Sequence, residues 1–378
     1  MGILSDEKTR RLLLPAAVLS ATGLLLAGCG APPEEGESNA AGESTVSTDP
    51  EVGDDNSDYL ACIVSDEGGF DDRSFNQSSY EGLKAAESEY GIEIREAESQ
   101  EPGDFTPNVN SMVDAECNAI FGVGYMLGDT IKPIAEKESD IHFFGVDVTA
   151  TDFSDNVQNL TYDTAQAAFL AGYLAAGMSE SGTVATYGGM EIPTVTIFME
   201  GFAEGVEYYN EQKDADVKVL GWDNEAKTGS FIGDFSNQAA GKTNTANFIN
   251  EGADVIMPVA GPVGLGTLDA VEEAGEDKGV KVIWVDSDGY ESTDKGNLIL
   301  TSVMKNMGQS VTDVIAQDLK GEFESEPYLG TLENEGVGLA PFNDFEDQVS
   351  DELKTELDEL KQQIIDGDVK VESSIAED

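Results

Sequence analysis

Positive charge is scarce in this sequence. It holds 20 Lys and Arg against 75 Asp and Glu, a formal net charge of −55. Phosphate backbones are bound by clustered Lys and Arg, so this balance argues against nucleic acid as a partner. Histidine is nearly absent, with only 1 in the chain. That residue, His142, lies inside the apolar run IHFFGV, where it reads as a packed side chain rather than a general base or ligand. There is no Gly-rich phosphate loop, no serine elbow and no Cys-His pairing, which removes the usual signatures of a nucleotide hydrolase or a nucleophilic enzyme. After the N-terminal segment, no apolar run is long enough to span a bilayer.

What is abundant is acid, spread along the whole chain rather than confined to a tail. Such a surface repels itself in dilute buffer. It suits either an ordinary acidic extracellular protein or one adapted to high salt, where counterions screen the repulsion. The even spread favours the second.

The N-terminus is the one strongly apolar stretch. MGILSDEKTRR is basic, and LLLPAAVLSATGLLLAG runs apolar up to Cys29. A charged start, a short apolar core and small residues before the cut make residues 1–28 a signal peptide. Pro15, Gly23 and the lack of a basic stop-transfer flank argue against a transmembrane helix. LAGC at 26–29 resembles a bacterial lipobox, with Cys29 as the lipidated first residue of the mature chain. Arg10-Arg11 leaves general secretion and twin-arginine export both open. Residues 29–57 continue in Gly, Pro, Ser and acid, too polar to bury a core, and read as a disordered tether. The expected location is the extracytoplasmic face of the cell membrane, held there by lipid alone.

In the body, short apolar strands alternate with helical patterns, which implies α/β architecture with parallel sheets covered by helices. The pattern runs twice, and the length exceeds one ordinary core, so two doubly wound lobes are expected. The expected division is 58–160 for the first lobe, with part of 287–325 returning to it. The second lobe is 161–286, with part of 326–378 packing on the lobes. A last helix near 350–366 carries Leu353, Leu357, Leu360 and Ile364 at helical spacing and ends at Gly367. Cys62 and Cys117 flank strand-like runs. If those strands are neighbours the two can pair, since export permits a disulfide; otherwise they are buried thiols.

Ligands of such sheets bind beyond the carboxyl ends of the strands. The stretch SDEGGFDDRSFNQSSYEGL, residues 65–83, lies at such an end and crowds Asp66, Asp71, Asp72, Phe75 and Asn76 together. Gly68 and Gly69 permit a sharp turn. Ser74 and Gln77 have capping-box spacing, placing the helix start at Ser74. Phe75 falls outside the buried stripe of Ser79, Leu83, Ala86 and Tyr90, and is either a stacking face at the cleft mouth or a side chain packed under the loop.

This stretch resembles the basic membrane protein (Bmp) or PnrA-like family, the nucleoside-binding lipoproteins of ABC importers. The resemblance continues in order through IFGVGYMLGD, HFFGVD, FMEGFAEGV, GSFIGDFSNQAAGK, IMPVAGPVGLG, VIWVDSD and TSVMKNMGQSV, across 58–378. Ser65 departs from the usual Thr, and an acidic surface replaces the family's frequent basic one. The resemblance implies a periplasmic-binding-protein type I fold, two α/β lobes around a ligand cleft. It implies a nucleobase sandwiched between Phe75 and Phe231, polar base contacts from Asn76 and Asp147, ribose contacts from Asp286 and Lys305, and a backbone contact from Gly261. Asp66 is a weaker match with a structural role. It further implies a monomer that captures purine nucleosides for transport by an ABC permease and ATPase, without enzymatic activity, cofactor or metal. A sugar or other small solute on the same fold is the alternative ligand. The Asp-rich segments DVTATDFSD and DSDGYESTD suggest a metal-dependent nucleoside hydrolase, but neither fits an EF-hand loop, and DSDG reads as a strand-end turn.

Overall fold

The structure is a computed structural model and describes residues 52–373. The signal peptide, Cys29 and most of the tether lie outside the described residues.

Two six-stranded sheets form the body. The first is built by β1 (Leu60–Glu67), β2 (Glu93–Ser99), β3 (Ala119–Val123), β4 (His142–Val146) and β5 (Val157–Tyr162). The second is built by β6 (Thr183–Gly188), β7 (Lys218–Leu220), β10 (Val255–Val259), β11 (Lys281–Asp286) and β12 (Ile299–Lys305), with β8 (Trp222–Asp223) and β9 (Thr228–Gly229) forming a separate ribbon. Near the C-terminus β13 (Tyr328–Gly330) joins the first sheet and β14 (Val337–Leu339) the second. The orders are β13-β5-β4-β3-β1-β2 and β14-β12-β11-β10-β6-β7. Every pairing in the two sheets is parallel except β12 with β14. Parallel strands need crossover helices, which cover both faces; this is why β3 and β10 are buried at every position.

The helices are α1 (Phe75–Tyr90), α2 (Phe105–Asp114), α3 (Gly128–Ala135), α4 (Thr164–Met178), α5 (Pro193–Lys213), α6 (Gln238–Asn250), α7 (Gly264–Ala274), the single turn α8 (Gly289–Ser292), α9 (Met307–Leu319) and α10 (Asp351–Ile365). α4 is buried nearly all round and lies directly against α5. A Cβ on Gly172 would sit 2.0 Å from the Phe202 carbonyl oxygen, and one on Gly205 would sit 2.0 Å from that of Phe169. Only glycine lets the two backbones approach so closely. α10 packs on α4 through Leu353, Leu357, Leu360 and Ile364, the stripe expected from the sequence.

The chain passes between the sheets after β5, after β12, and between β13 and β14. Residues 287–305 stay with the second sheet, and the chain returns from Met307 onward, where α9 packs on α1. Cys62 and Cys117 form a disulfide with Cα atoms 6.1 Å apart. Because β1 and β3 are adjacent, with Cys62 opposite Ile120, a cysteine just ahead of β3 lies within reach of β1.

Candidate functional site

The carboxyl ends of β1, β3, β4, β10, β11 and β12 converge on one cavity. Asp66, Phe75, Asn76, Asp147, Gly261, Asp286 and Lys305 all line it. Phe231, expected as the second stacking face, is not among the lining residues. Its ring is packed against Gly188 and edge-on to Trp222, with centroids 6.4 Å apart. The lining aromatics are instead Phe75, Tyr125, Phe198 and Phe235. Phe235 lies four residues beyond Phe231 in the same glycine-containing loop, and only the path of that loop separates the two. Phe198 was missed because it sits among buried apolar residues of α5 and reads as core.

One side of the cavity is built by the turn after β1. Gly68 and Gly69 have φ of 117° and 67°, so the turn requires their freedom. The helix begins as expected, with Ser74 as N-cap, but the expected capping box does not form. Asp72 caps α1 instead. Its Oδ1 accepts from the Ser74 and Gln77 backbone N–H groups, both at 3.0 Å, and its Oδ2 accepts from the Asn76 N–H at 2.8 Å. A carboxylate there satisfies the free amides and the positive end of the helix dipole. Gln77 is engaged elsewhere, with Arg73 and Glu81.

Asn76 has both amide hydrogens committed, to Asp66 Oδ1 at 2.9 Å and to Asp72 Oδ2 at 3.2 Å. Its Oδ1 is buried and has no partner among the described residues. Burial pushes the Asp66 carboxyl well above the usual range; the Asn76 hydrogen bond opposes this, and the neighbouring acids Asp72, Glu67 and Asp147 reinforce it. Burial thus favours the protonated form of Asp66, the form that can donate as well as accept.

The other side holds Lys305, at the end of β12 and almost fully buried. It pairs with Asp147, and with Asp286 at 3.6 Å. Burial disfavours its charge, but the two carboxylates outweigh that and raise its pKa, so it remains an ammonium. Its Nζ also lies 5.0 Å from the Phe75 ring centroid and 5.1 Å from that of Phe198. Asp147, expected with Asn76 to contact the base, pairs with Lys305, and Asp66 is the carboxylate hydrogen-bonded to Asn76. Asp147 and Asp286 end equivalent strands of the two sheets with φ of 61° and 71°, backbone that non-glycine residues adopt at a cost and that recurs at functional positions.

The segment just ahead of Phe75 reaches across to the second sheet. Ser74 Oγ lies 2.9 Å from Asp286 Oδ2 and 3.1 Å from the Val285 carbonyl. The Arg73 carbonyl accepts from Trp284 Nε1, Ser287 Oγ and Ser292 Oγ. His142 lies at the opposite end of its strand from the cavity; its ring stacks on Phe323 at 3.9 Å and its Nδ1 meets Asp318 at 2.6 Å. In DSDG, Asp288 accepts from the Tyr290 N–H at 3.0 Å and caps α8, the behaviour of a strand-end turn.

The Bmp family model, described as ABC transporter substrate-binding protein PnrA-like, matches residues 60–374. The chain belongs to this family. A Bmp relative in Lactococcus lactis subsp. cremoris, the ABC transporter nucleoside-binding protein BmpA, is 29% identical over 380 residues, covering 96% of this chain and 99% of its own. Basic membrane protein A of Borreliella afzelii is 30% identical over 310 residues, 81% of this chain and 89% of its own. An ABC transporter solute-binding protein from Aeropyrum pernix K1 shares the fold, with a TM-score of 0.74 at 23% identity over 82% of this chain and 92% of that one. The periplasmic-binding-protein type I fold expected from the sequence is thus shown. The chain is a member of an extracytoplasmic substrate-binding family of ABC transporters, and no described helix is long and apolar enough to cross a membrane.

Proposed function

We propose that the protein captures nucleosides in the cavity between its sheets and hands them, unaltered, to an ABC permease and its ATPase. The observation that carries the reading is the polarity of the cavity. Aromatic rings of Phe75, Phe198 and Phe235 suit a flat base, the amide of Asn76 and the acid of Asp66 suit its hydrogen-bonding edge, and the Asp147–Lys305–Asp286 cluster suits ribose hydroxyls. Stacking on an aromatic contributes about 1–3 kcal/mol per base. Carboxylates accept from hydroxyls that a sugar presents. The name of the Lactococcus relative points the same way. A phosphate would be repelled, because acids such as Glu67, Asp147 and Asp286 line the cavity and Lys305 is the cation in that lining. Nucleosides are therefore preferred over nucleotides.

The same reading has the mature chain lipidated at Cys29, tethered by 29–57 as a monomer, and acid-rich for work in concentrated salt. Titration calorimetry with inosine, adenosine, guanosine, inosine monophosphate and ribose tests the ligand. Binding of nucleosides alone supports the proposal; binding of ribose without nucleosides, or release of free base, overturns it. Cys29→Ser should release the protein from membranes into the soluble fraction.

A further inference from the structure

We propose that Asp72 is a positioning residue that fixes the Asn76 amide with its oxygen toward the ligand, so that the site selects bases bearing an N–H donor on their edge. The inference rests on the nucleoside reading of this cavity. Asp72 Oδ2 accepts from the Asn76 backbone N–H at 2.8 Å, which makes it an acceptor whatever the side chain does. The amide end facing it must therefore be Nδ2, found at 3.2 Å, since an oxygen there would oppose an acceptor. Asp66 Oδ1 takes the other amide hydrogen at 2.9 Å. No described residue meets Asn76 Oδ1, although Asn76 is only 1% exposed. A buried acceptor left unmade is costly, and a ligand that donates to it recovers that cost, whereas one that presents only C–H does not. Asp72 is itself locked by the amides of Ser74 and Gln77, so the orientation is set by the start of α1 rather than by the ligand.

The test compares inosine and adenosine, which carry base N–H groups, with purine riboside, whose base has none. Calorimetry on the wild-type protein should show purine riboside at least about tenfold weaker, the scale of one hydrogen bond to a buried group. In Asp72→Asn the preference should fall below about threefold, because an amide beside Asn76 lets its side chain turn over. A cap with no other role would weaken all three ligands equally and leave the ratio intact. Asp72→Ser, which keeps a capping oxygen but cannot reach both the backbone amides and Asn76 Nδ2, serves if Asp72→Asn does not fold. Equal wild-type affinities, or an unchanged ratio in either folded variant, overturn the inference while leaving nucleoside binding intact. No binding of any nucleoside overturns both.

Discussion

The Arg73 carbonyl oxygen and the Trp284 indole nitrogen meet at 3.3 Å, joining the loop that carries Phe75 and Asn76 to the strand end that carries Asp286. Ser287 and Ser292 donate to the same carbonyl, each at 3.0 Å. This knot ties the loop after β1 to the second sheet. Each such bond contributes about 1 kcal/mol net. Ser287→Ala with Ser292→Ala should weaken nucleoside binding by about tenfold, mostly through faster release, while the ligand-free melting temperature moves by only a few degrees. Unchanged dissociation kinetics would show that the knot plays no part in closure.

Lys305 is the second test. Removing one partner of a buried ion pair costs about 3–5 kcal/mol because the other charge is left unpaired. Lys305→Met should destabilise the ligand-free protein on that scale near neutral pH, and adding Asp147→Asn and Asp286→Asn should restore part of the loss. If Lys305→Met melts where wild type does, the cluster is not a compensated buried unit.

Asp66 gives a prediction with a defined sign. Its folded pKa is raised above the unfolded value, so between the two the folded state binds the extra proton. Stability contributed by that proton is present in acid and is lost as pH rises from the ordinary carboxylate range, about pH 4, through the raised pKa. Asp66→Asn keeps an acceptor for Asn76 and removes the titration. The variant should gain stability relative to wild type as pH increases from 4 toward 8. A melting-temperature difference that stays constant across that interval would mean Asp66 titrates normally.

Phe235 and Phe231 separate lining from packing. Phe235→Ala should lower nucleoside affinity by about tenfold with a small change in stability, the loss of one stacking face. Phe231→Ala should mainly lower stability, since its ring fills the space against Gly188 and Trp222. The opposite pattern, measured by calorimetry and thermal melting, would return Phe231 to the ligand.

Salt should stabilise the fold. Screening shrinks the reach of surface charges from about 30 Å at 0.01 M to about 3 Å at 1 M. With a net charge of −55, the melting temperature should climb into the molar range with sodium or potassium chloride alike, while the affinity for a neutral nucleoside changes little. A flat curve leaves the acidity as ordinary solubility.

Much of this protein was already determined by local chemistry in the sequence. Apolar strands with helices between them, Gly68 and Gly69 at the turn, and the Leu353–Ile364 stripe depend on neighbours along the chain, and the structure has them where the pattern put them. β2, α2 and β5 escaped that reading. β2 is an edge strand, largely exposed and rich in acid. β5 is fully buried yet holds Gln158, Asn159 and Thr161, whose side chains donate to the carbonyls of Glu326, Ala150 and Tyr328. The site divides along the same line. That Asp66, Asn76, Asp147, Asp286 and Lys305 reach one cavity follows from each lying at or just after a strand end. Which carboxylate neutralises Lys305, which one holds Asn76, that Asp72 caps α1 in place of the Ser74 and Gln77 box, and that Phe235 rather than Phe231 lines the cavity were decided only by tertiary structure. Those pairings depend on distances between segments up to hundreds of residues apart, and on burial that exists only once both sheets are packed.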